Sequence, residues 1–212
     1  MSRPTLFYSP STASLVVHWL LIELDAPHEL RELDFDKGDQ KSPEYLKLNP
    51  QGRVPALVWD GQVITEAAAI LLHLADAHPQ AGLAPAPGSV ERAHYYQWMF
   101  FLANSLQPAY RAWFYDDDSA GPEHYAIARE QARGRIEAAW QQVATHLETH
   151  GPYLVGETMT AVDFMATMLM RWSRNMPRPS DDWAVLRDYA ARMKALPSFK
   201  TVYAREGLTD WA

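Results

Sequence analysis

Five hydroxyl side chains are packed into one short stretch of the chain, Tyr8-Ser9-Pro10-Ser11-Thr12-Ala13-Ser14, between a β-prone run and an apolar helical pattern. Hydroxyls at a helix N-terminus ordinarily serve as caps. In the same place a hydroxyl can also donate a hydrogen bond to an anion held against the positive end of the helix. A second anion site is offered by Thr65-Glu66-Ala67-Ala68, where another helical pattern begins. Open N–H groups there suit a carboxylate or phosphate, and Glu66 suits either the helix dipole or the ammonium group of a zwitterionic ligand. Between these lies Val54-Pro55, just ahead of a hairpin strand. A cis bond at that turn leaves the Val54 N–H and C=O facing outward to pair with an extended peptide, whereas a trans bond gives an ordinary lead into an edge strand.

Other chemistry is poorly supported. The chain has no cysteine, so disulfides, thiolate metal sites and cysteine nucleophiles are excluded, and any sulfur chemistry needs a thiol carried in by a ligand. It contains no G-x-S-x-G elbow, and its eight histidines show no triad spacing, which speaks against a serine nucleophile. No H-E-x-x-H or calcium-type cluster occurs, so no metal is expected, and Asp116-Asp117-Asp118 reads as a solvated acidic loop. A net charge of −7 argues against nucleic acid and anionic membrane as partners. With neither a basic-then-apolar leader nor an apolar run of bilayer length, a soluble cytoplasmic protein is expected.

The elements that must position these residues fall into two halves of the 212-residue chain. Thr5–Tyr8 reads as a strand; Leu15, Val16, Trp19, Leu20 and Leu24 as a helix; His28–Leu33 as a second strand; and Glu44–Leu48 as one short helical turn at most. Ala56–Trp59 and Gln62–Ile64 flank Asp60-Gly61, the preferred pair for a type I′ hairpin. Ala67, Ile70, Leu71 and Leu74 then resume helical spacing. The order βαβα followed by ββα suggests a small mixed sheet covered by helices. After a Pro- and Gly-rich linker come helical patterns over Val90–Phe114, Glu123–His150, Ala161–Arg174, Asp182–Ala195 and Ser198–Tyr203. Thr160 with Asp163 makes a capping-box variant at the start of the third of these. The expected division is 1–80 for the α/β domain, 81–89 for the linker and 90–212 for an all-α domain.

Taken together, the segments resemble the cytosolic glutathione transferases. The resemblance runs through Phe7-Tyr8-Ser9-Pro10, Asn49-Pro50-Gln51-Gly52-Arg53-Val54-Pro55-Ala56-Leu57, Thr65-Glu66-Ala67-Ala68-Ala69-Ile70 and Gly156-Glu157-Thr158-Met159-Thr160-Ala161-Val162-Asp163-Phe164. It implies a thioredoxin-like N-terminal domain, an all-helical C-terminal domain, a homodimer, a cis bond at Pro55 and glutathione as the bound thiol, used as a co-substrate. By position it implies that Val54 pairs with the cysteinyl backbone of glutathione, that Glu66 and the Ala67 N–H hold its γ-glutamyl end, and that Gln51 and Arg53 flank it.

The chain is most similar to the bacterial beta class but departs from it. That class carries a cysteine where this chain has Ala13, a histidine–lysine pair where it has Gln107 and Pro108, and a serine where it has Ala67. Ser11 falls where the serine-type classes place a thiolate-stabilising hydroxyl, so it is the first candidate, followed by Ser14, Thr12 and Tyr8. Tyr110, Trp113, Phe114 and Tyr115 cluster where the family builds its hydrophobic site, for a small electrophilic second substrate. The expected activity is attack of the glutathione thiolate on such electrophiles. Its competitors are a glutathione-dependent isomerase or dehalogenase, and a transferase-like binding or regulatory protein that has lost turnover.

Overall fold

The computed structural model describes residues 3–115 and 121–212; the Asp116–Asp118 run lies outside them. Strand β1 (Thr5–Tyr8) buries Leu6 and Tyr8 on one face and turns Phe7 to the other, the period-2 pattern of a sheet covered on both sides. It pairs in parallel with β2 (Glu29–Glu32) and antiparallel with β3 (Ala56–Trp59). Strand β3 continues antiparallel into β4 (Gln62–Thr65), giving the order β2-β1-β3-β4. The β3–β4 turn places Asp60 at φ 48° and Gly61 at φ 77°, both left-handed, as a type I′ hairpin demands. This is the thioredoxin-like arrangement.

Helix α1 (Leu15–Glu23) connects the parallel pair and is buried at every position from Leu15 to Leu21. A helix that is apolar all round must be covered on all sides. The sheet and α3 (Ala67–Ala77) cover part of it, and the remainder is covered by α9 (Pro197–Arg205), from the far end of the chain. Trp19 meets Phe199 edge-on at 5.2 Å and donates from Nε1 to Ser198 Oγ at 2.9 Å. Between β2 and β3, α2 (Pro43–Leu48) is longer than one turn. Pro43 occupies its first position, and the Ser42 hydroxyl accepts the Tyr45 N–H at 3.2 Å.

By internal contact the chain forms two compact units. One runs to Ala84 and includes Lys194–Ala212; the other is Pro85–Met193. A division drawn at the linker assigns everything from residue 90 onward to the helical half. By contact, however, Lys194–Ala212 groups with the sheet-containing unit, because α9 covers α1.

The second unit is helical throughout its described residues: α4 (Val90–Phe101), α5 (Gln107–Phe114), α6 (Tyr125–His150), α7 (Ala161–Trp172) and α8 (Ala184–Lys194). The periodicity over 90–114 predicts one helix. Instead, residues Leu102–Leu106 form a wider π-type turn that separates α4 from α5. Pro108 is the physical reason: it has no N–H to donate and its ring crowds the carbonyl four residues back, so the helix widens there. At the start of α7, Asp163 is fully buried. Its Oδ2 accepts the Thr160 N–H at 2.7 Å, and its Oδ1 accepts the Leu154 N–H at 3.0 Å and the Tyr189 hydroxyl at 2.8 Å.

Candidate active site

The hydroxyl turn is built by β1 running into α1. Ser14 precedes α1 but does not cap it; its fully buried hydroxyl faces backward, donating to the Ser9 carbonyl at 3.0 Å and accepting the Ser9 N–H at 3.2 Å. Thr12 Oγ1 donates to the same carbonyl at 2.7 Å and lies 2.8 Å from Ser14 Oγ. These two hydroxyls tie the turn to itself. Tyr8 is buried, and its hydroxyl donates to Glu32 Oε2 at 3.1 Å. Burial, Glu32 and Glu206 push the phenol up to about 12, so Tyr8 holds its proton.

Ser11 is half-buried with φ at 65°. A left-handed backbone costs a non-glycine residue on the order of 1 kcal/mol and persists only where its surroundings enforce it. Here the Ser11 N–H donates to Glu206 Oε2 at 3.1 Å, from the end of α9. The other carboxylate oxygen lies 2.9 Å from His18 Nδ1, on α1. His18 is itself packed among aromatic rings, 5.7 Å from both Tyr8 and His28.

The second part of the site is the loop before β3. Asn49 Nδ2 and the Tyr45 hydroxyl both donate to the Arg53 carbonyl, at 2.7 and 2.6 Å, and Asn49 Oδ1 accepts the Gln51 N–H at 3.1 Å. Gly52 sits at φ 61°, and a Cβ there would lie 2.7 Å from the Gln40 carbonyl oxygen. Gln51 and Arg53 are left exposed, and Val54 is half-buried against Leu33, Tyr45 and Ala56. The Val54–Pro55 bond is cis. Neither the N–H nor the C=O of Val54 is paired with another described residue.

The third part is the N-terminus of α3. Glu66 is exposed with φ 67° and ψ 112°, and its side chain makes no cap hydrogen bond. The first N–H groups of this eleven-residue helix, from Ala67 onward, therefore meet no capping side chain. All three parts belong to the sheet-containing unit.

The aromatic residues of α5 lie in the helical unit and divide into two groups. Tyr110 is fully buried; its oxygen accepts the Trp140 Nε1–H at 2.8 Å, and burial pushes its phenol well up. Phe114 stacks on it at 6.1 Å with its ring 47% exposed, and Trp172 meets both edge-on, at 5.8 and 6.5 Å. Trp113 and Tyr115 instead lie under the guanidinium groups of Arg129 and Arg111. The sequence clusters all four around the end of one helix, while the structure brings only Tyr110 and Phe114 together, with Trp172 as an added wall. No group of histidines or carboxylates among the described residues converges to hold a metal, and no helix of theirs is long and apolar enough to cross a membrane.

Sequence reasoning missed His18 and Glu206. His18 lies on an apolar helix, where an isolated histidine reads as a core residue. Glu206 sits in Ala204-Arg205-Glu206-Gly207, which reads as solvated. Nothing in the spacing joins residues 188 apart.

Comparison with known proteins identifies the family. Residues 4–76 match the family model for the glutathione S-transferase N-terminal domain. The chain is 31% identical over 206 residues to "Glutathione S-transferase GST-4.5" of Xanthomonas campestris pv. campestris, covering 96% of this chain and 98% of that protein. Among solved structures, a glutathione transferase homologue from sulfitobacter with bound glutathione superposes at TM-score 0.90, with 26% identity and coverage of 99% and 100% of the two chains. A sphingomonad glutathione S-transferase complexed with glutathione gives TM-score 0.85 and 28% identity, covering 97% and 100%. The chain belongs to the glutathione S-transferase family.

Proposed function

We propose that the protein is a glutathione transferase in which the Ser11 hydroxyl stabilises the glutathione thiolate for attack on small hydrophobic electrophiles. The observation that carries this reading is a pair of strained residues. Ser11 and Glu66 are both non-glycine residues at positive φ, and each stands at the start of a helix that packs on the sheet unit. Outside hairpin turns such as Asp60-Gly61, strain of this kind clusters at functional sites. In this reading the tripeptide lies along the cis-proline turn. Val54 pairs with its cysteinyl backbone, Glu66 takes its ammonium group, the Ala67 N–H takes its carboxylate, and Gln51 and Arg53 flank it.

The energetics are sufficient. A free thiol titrates near 8.5, and lowering that by about 2 units needs roughly 2.7 kcal/mol in favour of the anion. One hydroxyl hydrogen bond to a charged acceptor supplies about 1.5–3 kcal/mol, and a helix N-terminus about 0.3–1. The thiol proton leaves to solvent. The sulfur then forms a bond to the electrophilic carbon, whose leaving group or π electrons accept the displaced pair. Phe114, over Tyr110 and Trp172, supports an apolar wall for that substrate. Exposed apolar side chains, Val63 on β4 and Tyr96 and Phe100 on α4, support a homodimer, which light scattering would test.

Calorimetry with glutathione and turnover of 1-chloro-2,4-dinitrobenzene test the reading directly, beside isomerase and peroxidase assays that separate the competing activities. Ser11→Ala is expected to lower kcat about 10- to 100-fold with little change in glutathione affinity, as befits a bond made to the thiolate. Glu66→Ala should instead raise the KM for glutathione. Unchanged turnover in Ser11→Ala would remove Ser11 from the mechanism, and no heat of binding would remove the glutathione site itself.

A further inference from the structure

We propose that Glu206 is a positioning residue of the active site: its carboxylate, oriented by His18, holds the Ser11 turn in the conformation that presents the hydroxyl to a bound thiol. The inference rests on the reading of Ser11 given above and concerns how that residue is held.

Glu206 stands at the C-terminal end of α9 with its side chain fully buried. Both circumstances are unfavourable. The end of a helix carries partial negative charge, and a buried carboxylate forfeits its hydration. Docking of α9 on α1 is already provided for by the Trp19–Ser198 hydrogen bond, the Ser198–Glu23 hydrogen bond and the Trp19–Phe199 contact. What the carboxylate adds is the pair of bonds to His18 and to the Ser11 N–H. The second acts directly on the strained residue.

The state of His18 narrows the role. Its Nε2 is buried without a partner. In the neutral Nδ1–H tautomer that atom is a bare acceptor, whereas in the cation it is a buried, unanswered N–H, which costs more. His18 therefore donates from Nδ1 to an ionised Glu206, and the pair carries a net negative charge. Such a charge opposes a neighbouring thiolate, just as it helps raise the Tyr8 phenol. The groups sharing this field are Tyr8, His18, His28 and Glu32, with the cations Arg3 and Arg205 beside His28. The benefit of Glu206 is thus geometric, exerted through the Ser11 backbone.

Geometric and electrostatic roles predict opposite shifts when the carboxylate is removed, read by titrating the ultraviolet absorbance of the thiolate in the enzyme–glutathione complex. Glu206→Ala removes the acceptor and frees the Ser11 turn. The thiolate midpoint is expected to rise by about one unit, a tenfold loss of thiolate at fixed pH, with a matching fall in kcat and little change in KM. Ser198→Ala, which loosens the same helix contact away from Ser11, should lower the thermal midpoint and leave the titration unmoved.

Should Glu206→Ala not fold, Glu206→Asp takes its place, since the shorter carboxylate keeps the charge and loses reach to Ser11; its midpoint should rise. A midpoint that stays or falls in both Glu206→Ala and Glu206→Asp would overturn the proposal. So would a shift in Ser198→Ala equal to that in Glu206→Ala. A parallel Ser11→Ala titration separates the two levels. If it matches the wild type, the reading of Ser11 falls and the proposal with it. If it rises while Glu206→Ala does not, only the positioning role falls.

Discussion

At the residue scale, Gly52 shows how little freedom the loop before β3 has. Its left-handed φ and the 2.7 Å approach of a would-be Cβ to the Gln40 carbonyl leave no room for any side chain. Gly52→Ala is expected to destabilise the fold by about 1–3 kcal/mol in urea unfolding. Because Gln51, Arg53 and Val54 ride on the same loop, the KM for glutathione should rise more than kcat falls. This position stood within a motif legible in the sequence, and so did Pro55 and Glu66. The Asn49–Arg53 bond that locks the loop could not be read there, because side-chain-to-carbonyl pairing leaves no periodic trace. Ser11 was legible as a hydroxyl at a helix start, but its left-handed backbone was not, since the hydrogen bond it makes there goes to a residue 195 positions away.

At the scale of elements, the two helix starts that close on a buried acid behave differently from ordinary caps. Asp163 gathers the N–H groups of Thr160 and Leu154 and the hydroxyls of Thr160 and Tyr189 on one carboxylate, so removing it takes the acceptor from four buried donors at once. Asp163→Ala should cost about 3–5 kcal/mol by urea unfolding, well beyond the 0.5–2 kcal/mol of a lost hydroxyl cap such as Ser42→Ala on α2. A much smaller loss would mean that water or a rearranged loop replaces the acid. The capping pair was legible from Thr160 and Asp163 alone, because its partners lie three residues apart. The contribution of Tyr189 was not, being a tertiary contact. The break between α4 and α5 shows the converse. Pro108 was visible as a residue, but apolar periodicity ran across it, and the period outweighed the missing N–H in the reading.

For the molecule as a whole, each unit holds one histidine that resists protonation. Burial lowers His28 in the first and His146 in the second, with neighbouring histidines adding to it in both and Arg3 and Arg205 adding further at His28. Their backbone-carbonyl bonds, to Ala26 and Leu154, offset this only in part. The sign follows from linkage. The unfolded chain binds these protons near the ordinary 6.5, above the folded values, so stability falls as pH drops from about 7 and levels off below the folded values. Thermal midpoints should therefore decline between pH 7.5 and 5.5, and the double substitution His28→Gln with His146→Gln should flatten that limb. The two-layer plan of the sheet unit and the helical character of the rest were legible, since both follow from hydrophobic period. The return of α9 to α1 was not, because a short amphipathic helix does not say which surface it covers. That return carries a consequence for biosynthesis. During vectorial translation the strands and α1 emerge early, yet the apolar side of α1 and the Ser11 turn stay uncovered until the segment after Lys194 clears the ribosome. On the reading proposed above, the Ser11 site is therefore completed only once α9 has docked on α1, and nascent fragments that stop short of that segment are natural clients for holding chaperones.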